Sequence, residues 1–302
     1  MSKLKTWLAM LAGAISLMLG AGAVCAQAPA PGQAMPDPYA GKKKLLVIAD
    51  VQTGFHHDSI NHAMAVIERL GRESGAYVAF LRTDSQLITR TPILGTGSRY
   101  EGRPINARNL DYFDAVFMLS SGAGALSDQQ KADLLAFVKE DGKGFIGGHA
   151  ATIAFYDWPE YGEMIGGFMA GEYRVEPTGV IVADPDFPGA AALPDVITDQ
   201  FPYLGAPYVK GGVHTILRLD PSRLTPEQRA RRPDGDFPVA WAKTYGRGRV
   251  FVSSLGHVEA IWDDPVLSNF QLEGIKWALG LTDADVTPDP ADSATPAVTA
   301  VP

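Results

Sequence analysis

The 302-residue chain carries 26 Lys and Arg against 34 Asp and Glu, a single cysteine, and 46% hydrophobic residues. This acidic balance, with no basic run, argues against nucleic acid and anionic membrane surfaces as partners. Without a disulfide framework, an export-compatible chain must rely on its own core, which one large domain of this length can supply.

Lys3 and Lys5 precede an apolar run from Trp7 to Val24, and Val24-Cys25-Ala26 fits a small-residue cleavage site. Residues 1–26 therefore read as a secretory signal peptide, and the protein is expected to be periplasmic or secreted with no membrane anchor left after cleavage. A retained anchor is the alternative, but the run is rich in glycine and alanine and a proline-rich stretch follows. Cleavage after Ala26 leaves 302 − 26 = 276 residues, a charge of 24 − 34 = −10 and no cysteine. The mature protein then has no thiol nucleophile and no thiolate metal site.

Residues 27–41, with Pro29, Pro31, Pro36 and Pro38, read as an extended linker. Leu45 to Asp50 is an apolar run suited to a strand buried on both faces of a parallel sheet. A helix follows, with Ile60, Met64, Ile67 and Leu70 at helical spacing, Asp58 or Ser59 as its cap, and Gly71 and Gly75 at its end. Tyr77 to Leu81 is a second strand. Thr83 to Asn109 is turn-rich and long, which in a compact domain marks a functional or mobile loop.

Phe113 to Leu119 is the next strand, and Ser127 with Gln130 forms a capping box for a helix whose apolar face is Leu134, Leu135 and Val138. Gly144-Phe145-Ile146-Gly147-Gly148-His149 then runs from an apolar strand into a glycine turn. Glycine allows such a turn without a Cβ clash, so His149 is presented above the carboxyl ends of the sheet. A packed turn whose histidine bonds to backbone is the plainer reading. Strands follow at Tyr173–Ala183, Val213–Leu219, Val239–Lys243 and Arg249–Leu255, then a helix at Gln271–Leu279. Residues 282–302 are Pro-, Ala-, Thr- and Asp-rich, and disorder is expected there. The alternation of strands and helices over residues 42–281 indicates one α/β domain with a mainly parallel sheet.

Several motifs in order resemble the ThuA-like family, named for trehalose utilisation. They are Gly54-Phe55-His56-His57-Asp58-Ser59-Ile60, Gly148-His149-Ala150-Ala151, and Tyr156-Asp157-Trp158-Pro159-Glu160-Tyr161-Gly162. Phe237-Pro238-Val239-Ala240-Trp241, Gly246-Arg247-Gly248-Arg249, Leu255-Gly256-His257 and Gly274-Ile275-Lys276-Trp277 complete the set. The resemblance implies a single three-layer α/β domain of class I glutamine amidotransferase-like (flavodoxin-like) fold. It places His149 where those enzymes carry a nucleophilic cysteine and His257-Val258-Glu259 where they carry His-x-Glu. Glutaminase chemistry, which needs a thiolate at that position, is not expected. Gly171-Glu172-Tyr173 and Asp199-Gln200 stand where relatives commonly carry Gly-His-Pro and an Asp-Glu pair.

Of six histidines, His57, His149 and His257 come from three loops that should converge at the strand ends. With Glu172 or Asp199 they offer the three or four ligands that a divalent metal such as zinc requires, although no short-spaced His-Glu-x-x-His signature is present. A hydrogen-bonded polar cluster is the alternative. Glu259 reads either as a carboxylate orienting His257 or as a cap for the segment around Ile261 and Trp262. Tyr156, Trp158, Tyr161 and Trp262 offer flat faces on which a sugar ring can stack, whereas Trp241 and Trp277 read as core. Asp157 is a hydroxyl acceptor or a turn former. Gly122 and Gly124 are weak candidates for oxyanion donors.

The leading expectation is an exported protein that processes a small carbohydrate or glycoside, as a hydrolase or lyase. His149, His257 and Glu259 would be catalytic, with His57, Asp157, Trp158, Tyr161 and Asp199 binding substrate. His57, His149, His257 and Glu172 form the alternative metal set. A non-catalytic sugar-binding or accessory module is the second reading. A partner subunit using the Thr83 to Asn109 loop is the third.

Overall fold

A computed structural model describes residues 37–99, 101–103 and 108–290. The expected signal peptide, most of the linker, and residues 291–302 of the tail lie outside the described residues. The chain divides into residues 1–40 and residues 41–302. In the first unit, a turn closes from Ala40 N–H to the Asp37 carbonyl.

The second unit runs β1 (Lys43–Ile48), α1 (Ile60–Ser74), β2 (Tyr77–Arg82), β3 (Ala115–Met118), α2 (Asp128–Lys139), β4 (Gly144–Gly147) and α3 (Pro159–Ile165). It continues β5 (Met169–Glu172), β6 (Glu176–Val182), β7 (Val196–Asp199), β8 (Pro202–Leu204), β9 (His214–Leu219) and α4 (Pro226–Ala230). β10 (Pro238–Tyr245), β11 (Gly248–Ser253), α5 (Glu259–Asp263) and α6 (Pro265–Ala278) close it. A nine-stranded sheet has the order β2-β1-β3-β4-β11-β10-β9-β6-β7, and β5 pairs with β8 in a small second sheet.

The first five strands of that order are parallel, as the apolar runs predict. β3 and β4 are buried at every position, the pattern of strands covered on both faces. Beyond β11 the pairings are antiparallel, so the expected parallel sheet is the site-bearing half of a larger mixed one. Alternate residues of β1 enter opposite cores. Leu45 and Val47 pack with Ile60 and Ile67 of α1 and with Phe270 and Ile275 of α6. Leu46 and Ile48 pack with Leu134 and Phe137 of α2 and with Met164 and Ile165 of α3. Two helical layers thus sandwich the sheet. No helix among the described residues is long and apolar enough to cross a membrane.

Local signals held at some ends and failed at others. Ser127 and Gln130 form the full capping box at α2. Ser59 precedes α1 but caps nothing; its hydroxyl donates instead to the Gly256 carbonyl at 2.8 Å. Gly71 lies inside α1, against the Tyr77 ring, and Gly75 at φ 69° ends the helix. The start of the long loop is held by Asp133 of α2, which accepts from Arg90 N–H at 2.7 Å and from the Thr89 hydroxyl at 3.2 Å.

Disorder from Thr282 does not hold for residues 282–290. Arg249 donates to the Thr282 carbonyl at 2.8 Å, His214 Nδ1 lies 2.9 Å from the Thr287 carbonyl, and Asp289 N–H bonds the Val213 carbonyl at 3.0 Å. Composition marked this segment as too polar for a core of its own, but Ala284 and Val286 pack against the main core, and hydrogen bonds to His214, Arg249 and Val213 tie it down.

Gly274 of α6 faces the Phe251 ring of β11 so closely that a Cβ would overlap it. In an exposed helix, Gly→Ala gains up to about 1 kcal/mol. Here overpacking reverses the sign, and Gly274→Ala should lower stability by about 1–3 kcal/mol in urea unfolding.

Candidate functional site

Three loops at the carboxyl ends of parallel strands build the site: His57 after β1, His149 after β4 and His257 after β11. Each loop is fastened to a neighbour. Behind β1, Gly54 lies against the backbone of Ser121 and Gly122 with no room for a Cβ, and the Ser121 hydroxyl donates to the Phe55 carbonyl at 2.6 Å. Asp50 joins the same knot, its N–H on Ser120 Oγ and its carboxylate accepting from Ser85. Gly122 and Gly124 are not oxyanion donors, because their N–H groups already bond the Ile153 carbonyl and Thr53 Oγ1.

His149 does not sit on a strained elbow. Gly148 has φ −83°, His149 opens a short 3-10 turn through Ile153, and the one non-glycine residue with positive φ among the described residues is Phe155. His149 Nδ1 lies 2.7 Å from the Ser254 carbonyl. A carbonyl only accepts, so Nδ1 carries the hydrogen and Nε2 of the neutral ring presents a lone pair. His257 Nδ1 lies 3.2 Å from that Nε2.

The loop that carries His257 is pinned through Gly256, at φ +121°, a conformation suited to glycine. Its carbonyl accepts from Ser59 and from Trp262 Nε1, and its N–H donates to Asp199 at 2.7 Å. Val258 N–H reaches the other Asp199 oxygen at 3.3 Å. Asp199 is fully buried, so its expected substrate contact is corrected to a positioning role. Burial pushes its carboxyl up to about 6, against the backbone donors that favour the carboxylate.

The three imidazoles form a triangle with ring centres 4.9–5.1 Å apart. One nitrogen from each lies within 4.8 Å of the others. Burial lowers His57 to about 4, with His257 and His56 adding to this, and lowers His149 to about 3 despite the Ser254 carbonyl, with His57 and His257 adding; His257 is also lowered by burial, against the charges of Glu172 and Asp58. All three are neutral at pH 7, the form that ligates metal. Nitrogens about 2.0–2.1 Å from a tetrahedral zinc lie about 3.4 Å from one another, close to the His149–His257 separation. His57 Nδ1 is buried with no hydrogen-bond partner. The Ser254 carbonyl behind His149 is the outer support that ligating histidines usually have.

The other expected site residues are dispersed. Glu259 is exposed, starts α5 and makes no hydrogen bond to His257, so the dyad is replaced by a helix start. Glu172 is exposed and outside the ligand triangle, acting on His257 through its charge. Trp158 and Tyr161 are core residues stacked at 5.5 Å, and the Tyr161 hydroxyl bonds the Ala151 carbonyl. Asp157 is exposed on the loop before α3. A void of about 10 Å³ beneath His57 and His149 has room for about one water, so any reactant approaches from the open side.

Sequence reasoning missed Phe55, which is 65% exposed with its ring 4.8 Å from that of His57. Its place two residues before His57 was the available signal, but exposure is decided by the fold.

A family model described as trehalose utilisation, ThuA, matches residues 44–278. Among solved structures, the chain is similar to a ThuA-like protein from Bacteroides uniformis ATCC 8492 at 18% identity and TM-score 0.57, covering 81% of this chain and 95% of that one. A ThuA-like protein from Parabacteroides merdae ATCC 43184 is similar at 17% identity and TM-score 0.54, covering 79% and 90%. No curated protein matches the chain.

Two outcomes follow from this geometry. Asp199→Ala leaves two backbone donors without their acceptor and should destabilise the protein by about 2–4 kcal/mol in urea unfolding. In metal-free protein, the NMR signals of His57 and His149 should remain those of neutral imidazole from pH 7.5 down to about pH 5; protonation near pH 6.5 would contradict the burial that governs the site.

Proposed function

The chain belongs to the ThuA family, and from that membership together with the histidine triangle we propose that it processes a small carbohydrate or glycoside at a divalent metal held by His57, His149 and His257. The observation that carries this is the convergence of three neutral imidazoles, one backed by a backbone carbonyl and one with an orphaned buried nitrogen.

Ligation suits these residues better than acid/base catalysis. A general base works best with a pKa near the operating pH. At about 3 and 4, His149 and His57 would be too weak to hold an abstracted proton at pH 7. As neutral ligands, the same depressed values are an advantage, because protons do not compete for the nitrogens. A divalent ion held by His57, His149 and His257 would supply Lewis-acid chemistry to an oxygen of the substrate or of water. This chain's own residues do the rest. Asp199 and Ser254 fix two of the imidazoles, Phe55 offers a flat face beside His57, and the Glu172 charge acts on His257.

The pattern of residues 1–26 supports an exported, periplasmic or secreted location. The family description supports a carbohydrate substrate. A non-catalytic sugar-binding module is the second reading, favoured by Glu172 standing where relatives commonly carry histidine.

The test is an NMR time course of the mature protein with disaccharides, glycosides and keto-sugars, with zinc and with chelator. Product should form with metal, and His149→Ala or His257→Ala should slow turnover at least about 100-fold. Unchanged turnover in His149→Ala sinks the proposal, and saturable binding without product selects the module.

A further inference from the structure

A cleft of about 440 Å³ lies between Tyr156, Pro159, Phe168, Met169, Ala170 and the segment 205–207. That volume falls within the range of about 300–1,000 Å³ usual for small-molecule sites. Its floor is built with care. Gly162 lets the Phe168 ring come so close that a Cβ there would overlap it. Tyr156, half exposed, tilts over Phe168 with ring centres 5.3 Å apart. The Tyr156 hydroxyl is committed to the Met169 carbonyl at 2.9 Å, which fixes the ring with one face open.

The chemistry of the walls identifies the occupant. Apart from that committed hydroxyl, Glu163 is the one polar side chain lining the cleft among the described residues. A sugar ring needs partners for several hydroxyls, and unpaired polar groups are costly when desolvated. The walls therefore suit an apolar ring, and the carboxylates of Glu163 and Glu172 disfavour an anion.

The chain also links the cleft to the histidine loop. Tyr156 stands on the segment leaving the 3-10 turn that His149 opens, fixed there by Phe155 N–H on the Gly122 carbonyl at 2.8 Å. β5 supplies Met169 and Ala170 to the opposite wall and ends at Glu172, whose charge is felt both by the Tyr156 hydroxyl and by His257. Resting on the proposed carbohydrate site, we infer that the substrate is a glycoside with an uncharged aromatic aglycone, and that the aglycone lodges in the cleft of Tyr156, Phe168 and Met169 while the sugar faces the histidines.

Matched probes test this: 4-nitrophenyl and methyl glucosides of both anomeric configurations, measured by saturation-transfer NMR and by titration calorimetry. The aryl protons should show the strongest saturation, and each aryl glucoside that binds should do so at least tenfold more tightly than its methyl partner. Ala170→Trp, which fills an exposed position of the wall, should remove that advantage with the thermal unfolding midpoint unchanged, and Tyr156→Ala should reduce it. Equal or absent binding of aryl and methyl glucosides overturns the inference, as does an advantage that survives both substitutions. The two readings fail separately. Metal-dependent turnover of methyl glucosides without an aryl advantage removes the cleft alone. An aryl advantage abolished by Ala170→Trp, without metal uptake or product, removes the metal reading alone.

Discussion

The buried carboxylate of Asp199, at the end of β7, holds the loop on which His257 stands. Charge without water is expensive, and this one is tolerated because backbone N–H groups of Gly256 and Val258 converge on it. The same glycine gives its carbonyl to Ser59 at the start of α1 and to Trp262 of α5. One residue thus ties the loop after β11 to the antiparallel half of the sheet, to the first helix and to the helical layer. Without that knot, His257 would be a side chain on a free loop. With it, the imidazole is held 3.2 Å from its neighbour.

Desolvation then gives the three histidines their character. Packed against one another and largely out of water, they shed protons that isolated imidazoles would hold at mildly acidic pH. That loss of basicity is what the proposed ligand role rests on. The supporting groups differ for each ring: a backbone carbonyl for His149, a buried carboxylate acting through the backbone for His257, and tight loop packing behind Gly54 for His57. The strand order explains why they meet. β1, β4 and β11 are separated in the chain but lie within one parallel run, so their following loops open on the same side.

The two aromatic groups near the site divide by burial. Trp158 and Tyr161 face inward and stabilise the turn that follows His149. Phe55 and Tyr156 keep open faces although their backbones or hydroxyls are anchored. In an aromatic-rich sequence segment, neighbours two residues apart can point to the core and to solvent. Identity alone does not distinguish them.

The sequence by itself determined the parallel core, because runs such as Leu45–Ile48 and Ala115–Met118 are apolar at every position and suit only strands covered on both faces. It determined the α2 cap, a local bond pattern of Ser127 and Gln130, and the three loops that carry histidine. β6, β9 and β10 were legible as strands but not their antiparallel direction, which depends on the partner strand, and the short β5, β7 and β8 were missed, since three- or four-residue strands have too few positions to show a period. Tertiary structure alone decided that Asp199 supports rather than binds and that Glu259 begins a helix. It also left Glu172 outside the ligand triangle and Phe55, not Trp158, exposed. These outcomes depend on which backbone donors and which solvent-filled space lie beside a side chain, and such neighbours come from residues dozens to hundreds of positions away.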